Sequence, residues 1–527
     1  MYDYVLKNGW IVDGSRKEPY RADLCIRDGL IAEIAPNAGE GRETIDISGL
    51  IVSPGFIDIH AHSDASPLVG YPVESKLAQG VTTEICGNCG VSLLPSEPGC
   101  EAAVQEYFSS ELEMPLNGKQ ITMPSMTAYV RAVRNSGTAL NVGMLVGHGT
   151  LRLSVMGFVD RPPTTQELEQ MKSLLDRELS AGAMGMSLGL IYPPSAYGTT
   201  DELVELAKVV KKHNAILAVH MRSESVHIFE AVDEMLSVAE KSGVHLEISH
   251  LKLIGKPQWG RGGELLQKIR DARARGIHVT CDQYPYTASS TALTALMPNW
   301  SHAGGNEEML RRLREREGTL CEEMAQEMEN RGGPGAILIT STHGRHPDYE
   351  GKTIDELAKE FSLTPLDAVI QILLECEVSV ACVFFCISEE DMLAIMTEPF
   401  ICVGSDGYSF SYDKHYTKTN PHPRSFATFP QFFQTVREKQ LMSIQDAVYK
   451  ATALPAQILG LYDRGQLKKG MAADITIFDR ERIASRSTYL DSKVRPVGIS
   501  YVFVGGKLAY CDGRTVDFHS GKVLLHL

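Results

Sequence analysis

No apolar run in these 527 residues reaches the length of a membrane span. The opening Met1-Tyr2-Asp3-Tyr4-Val5-Leu6-Lys7 lacks the basic stretch and apolar core of a secretory leader. The eleven cysteines are scattered and odd in number, which argues against a disulfide framework and for reduced thiols in the cytoplasm. Positive charge is short too. A formal net charge of −15 argues against nucleic acid or an anionic membrane as partner and leaves room for a small substrate in a local basic pocket. Internal repeats and low-complexity segments are missing, and nothing in the sequence reports the oligomeric state.

What is present is ordinary for a globular chain: 43% hydrophobic and 22% charged residues, at a length that suggests two or three structural units. Residues 1–52 read as short strands: Tyr4–Lys7, Trp10–Val12, Leu24–Arg27, Leu30–Ile34 and Thr44–Ile47, with Asn8-Gly9 and Asp28-Gly29 as hairpin turns. The C-terminus has the same texture. Asp474–Phe478, Ile499–Val504 and Lys507–Cys511 read as strands, punctuated by Gly505-Gly506 and Asp512-Gly513. Neither end has the apolar residues for its own core, so both are expected to build one small β-sandwich from residues 1–52 and 465–527.

Between them, strands and helices alternate. Strand candidates are Gly55–Ile59, Thr82–Cys86, Val142–Val146, Met184–Leu188, Ile216–Val219, Leu246–Ser249, His278–Cys281, Val380–Cys386 and Ile401–Gly404, with Ile337–Thr340 as a further one. Helical patterns fall at Thr165–Ser180, Thr200–Lys212, Ser225–Lys241 and Gly262–Arg275. Over residues 53–464 this alternation predicts a (β/α)8 TIM-like barrel, with more strand candidates than places. Residues 285–345 break the rhythm and are expected to form an insertion over the barrel mouth.

Residues with metal-binding or acid–base chemistry end several of these strands. His60 and His62 follow the first, in Gly55-Phe56-Ile57-Asp58-Ile59-His60-Ala61-His62. Side chains two apart on a strand face the same way. Cys89 follows the second in Gly87-Asn88-Cys89-Gly90, His220 and His250 end two more, and Asp406 follows the last. Taken singly, each is as readily a core or turn residue. Catalytic groups in barrels gather at the C-terminal strand ends, and imidazole with thiolate favours zinc. Cys86-x-x-Cys89 lacks the thioredoxin-like context of a redox pair and the second cysteine pair of a zinc ribbon. Cys86 lies in the strand as packing, and Cys89, in the loop, is the better ligand.

The chain resembles the amidohydrolase superfamily, and within it the N-acyl-D-amino-acid deacylase family. The resemblance rests on Pro54–Asp64 (PGFIDIHAHSD), Gly87-Asn88-Cys89-Gly90, Gly147–Arg152 (GHGTLR), His220-Met221-Arg222, Ser249–Lys252, Gln283–Tyr286, Ser405-Asp406-Gly407, His422-Pro423-Arg424 and Gly465–Asp474. It implies zinc-dependent hydrolysis of N-acyl-D-amino acids. Cys89, His220 and His250 would hold the tighter zinc, and His60 and His62 a second, weaker position. Asp406 would be the general base and acid, and Lys252 and Arg424, with Tyr284 or Tyr286, would bind the substrate carboxylate. Many relatives bridge two metals with a carboxylated lysine on the fourth strand. No lysine occurs between Arg177 and Lys208, which fits a cysteine in that role. His148 and Arg152 either support the site from behind or touch substrate. Met221–Glu224 is read as shaping a loop, and side-chain preference is open, with Arg222, Arg345 or His343 as sources of charge for an acidic substrate. The alternative is hydrolysis of a cyclic amide, as by a dihydropyrimidinase or hydantoinase. Cys89→Ala is expected to lose metal and activity together; metal analysis showing unchanged zinc would rule out the ligand assignment.

Overall fold

The computed structural model describes residues 1–111 and 119–526. Eight parallel strands form its centre: Phe56–Asp58, Val81–Cys86, Asn141–Gly147, Gly185–Gly189, Ile216–His220, His245–Ile248, Val279–Gln283 and Ile401–Val403. Each is hydrogen-bonded in parallel to the next. The ring is drawn together just past the ends of the first and last strands. Asp406 N donates to His60 O at 2.8 Å and His62 N to Gly407 O at 3.0 Å. This is the barrel that the strand–helix alternation predicts. The strands read as unbroken apolar runs because both faces are covered; all five residues of Ile216–His220 are buried. Several of the helices between them start at polar caps, as at Thr164, whose hydroxyl and Glu167 complete a capping box for Thr165–Ser180.

A second sheet, of nine strands, uses both ends of the chain. Ile475–Phe478 pairs antiparallel with Ile51–Pro54, which lies beside Tyr2–Ile11. The two ends share one core that includes Leu6, Leu24, Ile26, Val52, Ile475 and Phe503. Asp28-Gly29, Gly505-Gly506 and Asp512-Gly513 are two-residue hairpin turns with positive φ at both positions. Asn8-Gly9 is not a turn. The chain runs straight through it as one strand, Tyr2–Ile11, with a shift in pairing register between Leu6 and Gly9. Asn8 takes φ 68° and its N–H donates to Asp23 Oδ1 at 2.9 Å. The left-handed tolerance that suits Asn-Gly to a hairpin suits it equally to a bulge.

The surplus strand candidates belong to neither sheet. Val380–Cys386 and Ile337–Thr340 supply Ala381–Phe384 and Ile337–Ser341, which join Ser289–Ala292 in a three-stranded antiparallel sheet. Periodicity cannot distinguish such a strand from a barrel strand, because both are short apolar runs. This sheet and helices Asn306–Glu315, Leu320–Asn330, Ile354–Phe361 and Pro365–Glu375 all lie between the seventh and eighth barrel strands. Among the described residues no helix is long and apolar enough to cross a membrane, and all eleven cysteines are free.

Phe56, on the first barrel strand, is fully buried where the barrel meets its surroundings. Its ring stacks on Phe429 at 5.4 Å and Phe433 at 5.1 Å and meets Phe478 of the terminal sheet edge-on at 5.9 Å. Phe56→Ala is expected to cost about 3–5 kcal/mol, from lost burial and the cavity left behind. Equilibrium denaturation of the two proteins measures it.

Candidate functional site

The loop after the second barrel strand shows why Gly-Asn-Cys-Gly is written as it is. Gly87, Cys89 and Gly90 all have positive φ. A Cβ on Gly87 would stand 2.2 Å from Leu145 O, and one on Gly90 2.6 Å from Gly189 N. The loop therefore lies hard against the third and fourth strands and turns the Cys89 side chain inward. Its sulfur is 3.4 Å from His60 Nε2 and 3.5 Å from His250 Nε2. His60 Nε2 is 3.3 Å, and His62 Nε2 2.9 Å, from Asp406 Oδ1. His220 joins through His250: their rings meet edge-on at 4.4 Å, and His220 Nε2 lies 3.6 Å from a Glu224 oxygen. Two buried groups of metal-type donors result, Cys89-His60-His250-Asp406 and His220-Glu224-His250.

These donors fit a transition-metal ion. Neither ring nitrogen of buried His220 has a hydrogen-bond partner, nor has His62 Nδ1, and buried polar atoms are seldom left so. Donor separations of 3.4 and 3.5 Å suit ligands sharing one ion through bonds of about 2.0–2.3 Å. Electrostatics agree. Burial by itself raises the Cys89 thiol, but His60 and His250 outweigh it and hold the group well below an ordinary thiol, as thiolate. Burial lowers His220, which keeps a lone pair free for a ligand bond. Burial also opposes ionisation of Asp406, yet Arg424, whose Nη1 is 2.6 Å from Asp406 Oδ2, and His250 hold the carboxyl well below the usual range.

The sequence reading missed two carboxylates. Asp282, at the end of the seventh strand, bonds His60 Nδ1 at 3.1 Å and accepts from His250 N at 2.9 Å. Its place at the end of an apolar strand was the available signal. Glu224 does more than shape a loop: it lies 2.9 Å from His250 Nδ1 and 2.6 Å from Lys252 Nζ. Both fix the orientation of imidazoles through the ring nitrogen turned away from the donor cluster.

A cavity of about 560 Å³ opens over the cluster. His62, Cys89, His220, His250, Lys252, Tyr284, Asp406 and Arg424 lie on its walls, and Thr291, Leu296 and Met297 of the long excursion close the other side. The buried Tyr284 hydroxyl has no hydrogen-bond partner, and both Lys252 Nζ and the Arg424 guanidinium stand over its ring. Tyr286 is not on this cavity. The strand ends at Gln283, and beyond Pro285 the two-residue alternation no longer holds. Its ring stands against His422 at 5.1 Å and its hydroxyl donates to Pro423 O at 3.4 Å. Arg222 lies on the cavity wall but is spent on Glu234 and on the carbonyls of Ala196 and Gly198. His343 also lies on the wall, whereas Arg345 pairs with Glu377 away from it. His148 and Arg152 stand behind the site: both bind Glu202, and His148 Nδ1 bonds Ser195 Oγ at 2.8 Å, which in turn accepts from Gly189 N.

Comparison with known proteins agrees with this geometry. An amidohydrolase family profile matches residues 51–316, and a second matches 405–510. The chain is 32% identical to the D-aminoacylase of Alcaligenes xylosoxydans xylosoxydans over 525 residues, 99% of this chain and 97% of the relative. The crystal structure of N-acyl-D-glutamate deacylase from Bordetella bronchiseptica, solved with zinc and a phosphonate mimic of the tetrahedral intermediate, superposes with a TM-score of 0.84 at 32% identity, covering 99% of each chain. L-hydantoinase from Arthrobacter aurescens, at 15% identity and a TM-score of 0.56 over the whole of both chains, shares the fold alone.

Behind the cavity, burial raises the Glu202 carboxyl, but the hydrogen bond from His148 and the charge of Arg152 more than reverse this, bringing it from 4.5 to about 2. A depressed carboxyl stabilises the fold above its unfolded value and loses that contribution as pH falls through its folded one. Glu202→Gln is expected to lower stability by about 3 kcal/mol at pH 7. The gap to wild type should close between about pH 4.5 and pH 2, as read by urea unfolding across that range.

Proposed function

The chain belongs to the N-acyl-D-amino-acid deacylases of the amidohydrolase family, and we propose that it hydrolyses the amide bond of N-acyl-D-amino acids to a carboxylate and a free D-amino acid. One observation carries the reading: a buried cysteine–histidine–aspartate donor cluster and two cationic side chains line the same cavity.

Cys89, His220 and His250 are assigned to a tightly held zinc, and His60 and His62 to a second, weaker position. The donor atoms form two groups that share His250, although they divide differently from this assignment: His60 stands with Cys89 and Asp406, and His220 with Glu224. A zinc held by these residues would supply a water with its pKa lowered towards about 7 and a Lewis acid for the amide carbonyl. Asp406 is the general base and acid. His60 and His62 aim its Oδ1, and Arg424 keeps it ionised, so the carboxylate accepts the water proton and returns it to the leaving amine nitrogen. Arg424 and Lys252 clamp the substrate carboxylate, and the unpartnered Tyr284 hydroxyl adds a donor to it. With the carboxylate held on this side, the side chain and acyl group extend towards the wall made by the excursion.

The cyclic-amide alternative is disfavoured at the fourth strand. In place of a bridging lysine, that strand ends at Gly189, where a Cβ would stand 1.9 Å from Cys89 O. The cysteine loop occupies that ground.

Amine release from N-acetyl-D- and N-acetyl-L-amino acids (Met, Leu, Phe, Glu and Asp), with zinc measured on the same sample, tests the proposal. D-selective release is expected from wild type. Asp406→Asn should fall by at least about 10³-fold with zinc retained. A zinc-bearing wild type that releases no amine from any of them would overturn the reading.

A further inference from the structure

Beneath the donor cluster lies a charge that the reaction does not use. Lys76, in the connection between the first and second barrel strands, is fully buried, and so is Asp58 on the first strand. The Lys76 ammonium donates to Asp58 Oδ2, to Ser405 Oγ at 2.5 Å and to Gly407 O at 3.5 Å. Asp58 Oδ1 accepts from Ser405 N at 2.8 Å, and Asp58 Oδ2 from Ser405 Oγ at 2.6 Å. The same hydroxyl lies 3.3 Å from His60 O and accepts from Gly407 N at 3.0 Å. Lys76 therefore binds, at one point, the strand that leads into His60-x-His62 and the turn that carries Asp406.

That turn needs holding. Asp406 sits at φ 51°, which L-residues with a Cβ adopt reluctantly, and its carboxylate must meet His60 and His62 from another strand. A buried ion pair is a poor source of net stability, because desolvation offsets most of its Coulomb gain. Hydrophobic residues would close the barrel as well. A cation at this place is better suited to direction: it gathers three acceptors from two strand ends, beside the direct contacts of Asp58 with Ser405.

We propose that Lys76, through Asp58 and Ser405, is a positioning residue that sets Asp406 against the His60/His62 pair. It touches neither substrate nor metal. The role rests on the deacylase reading for its kinetic consequence, and on geometry alone for its structural one.

Two variants test it. Lys76→Met with Asp58→Asn removes both charges together, so neither is left buried and unpaired. Ser405→Ala leaves the ion pair and the backbone bond from Ser405 N to Asp58 intact and removes the hydroxyl that joins Lys76 and Asp58 to the turn. Each is expected to fold and hold zinc as wild type does, to keep KM within about threefold, and to lose kcat by at least about tenfold. Crystal structures of the zinc-loaded variants should show Asp406 Oδ1 displaced from His62 Nε2. Wild-type kcat in either variant, or a loss that only tracks folded, zinc-bearing protein, would overturn the proposal. If the wild-type protein itself releases no amine, the deacylase reading fails and the crystallographic position of Asp406 decides the positioning role of Lys76: displaced supports it, superimposed overturns it.

Discussion

The closing seam of the barrel is the constraint on which the site depends. A ring of eight parallel strands places its first and last members side by side, and here those two carry the His60-x-His62 pair and Asp406. Two backbone hydrogen bonds and the Lys76–Asp58–Ser405 contact draw the ends together. Without closure, residues more than three hundred positions apart would not share a carboxylate oxygen. Backbone pairing sets the spacing of the strands; the polar contact beneath sets how the turn at Asp406 is presented.

Above the seam, charge is concentrated at a density that a protein interior tolerates only when every member is answered. Asp282 takes the far side of His60 and the backbone of His250, Glu224 takes the far side of His250 and the ammonium of Lys252, and Arg424 takes the outer oxygen of Asp406. What remains unanswered is informative: the two nitrogens of His220, one of His62 and the Tyr284 hydroxyl. His220, His62 and Tyr284 all line the cavity, where a metal or a substrate oxygen would supply partners for such atoms. The excursion between the seventh and eighth strands completes this arrangement from the outside. It supplies Thr291, Leu296 and Met297 to the wall opposite the cluster, so the barrel sets the chemistry and the excursion sets the shape of what enters.

Much of this was legible along the chain. Strand ends bearing histidine, cysteine and aspartate can be read one at a time, and the bulk of the barrel follows from apolar runs separated by helical periodicity. Capped helices such as Thr165–Ser180 fall where their polar starts place them. Other features were not legible. Asn8-Gly9 has the composition of a turn but serves as a bulge, because the choice depends on whether a partner strand continues alongside. Tyr286 shares its motif with Tyr284 but faces His422, because the strand had ended. Val380–Cys386 looks like a barrel strand and pairs elsewhere.

The sequence by itself determined the kinds of atom available and their intervals: thiolate, imidazole, carboxylate and cation at strand ends, with glycines flanking Cys89 where no side chain fits. Those follow from local chemistry and local sterics. Which donors meet, which carboxylate answers which imidazole, and which way Asp406 points were decided only in three dimensions. Barrel closure and side-chain packing are relations between distant segments, and no local pattern carries them.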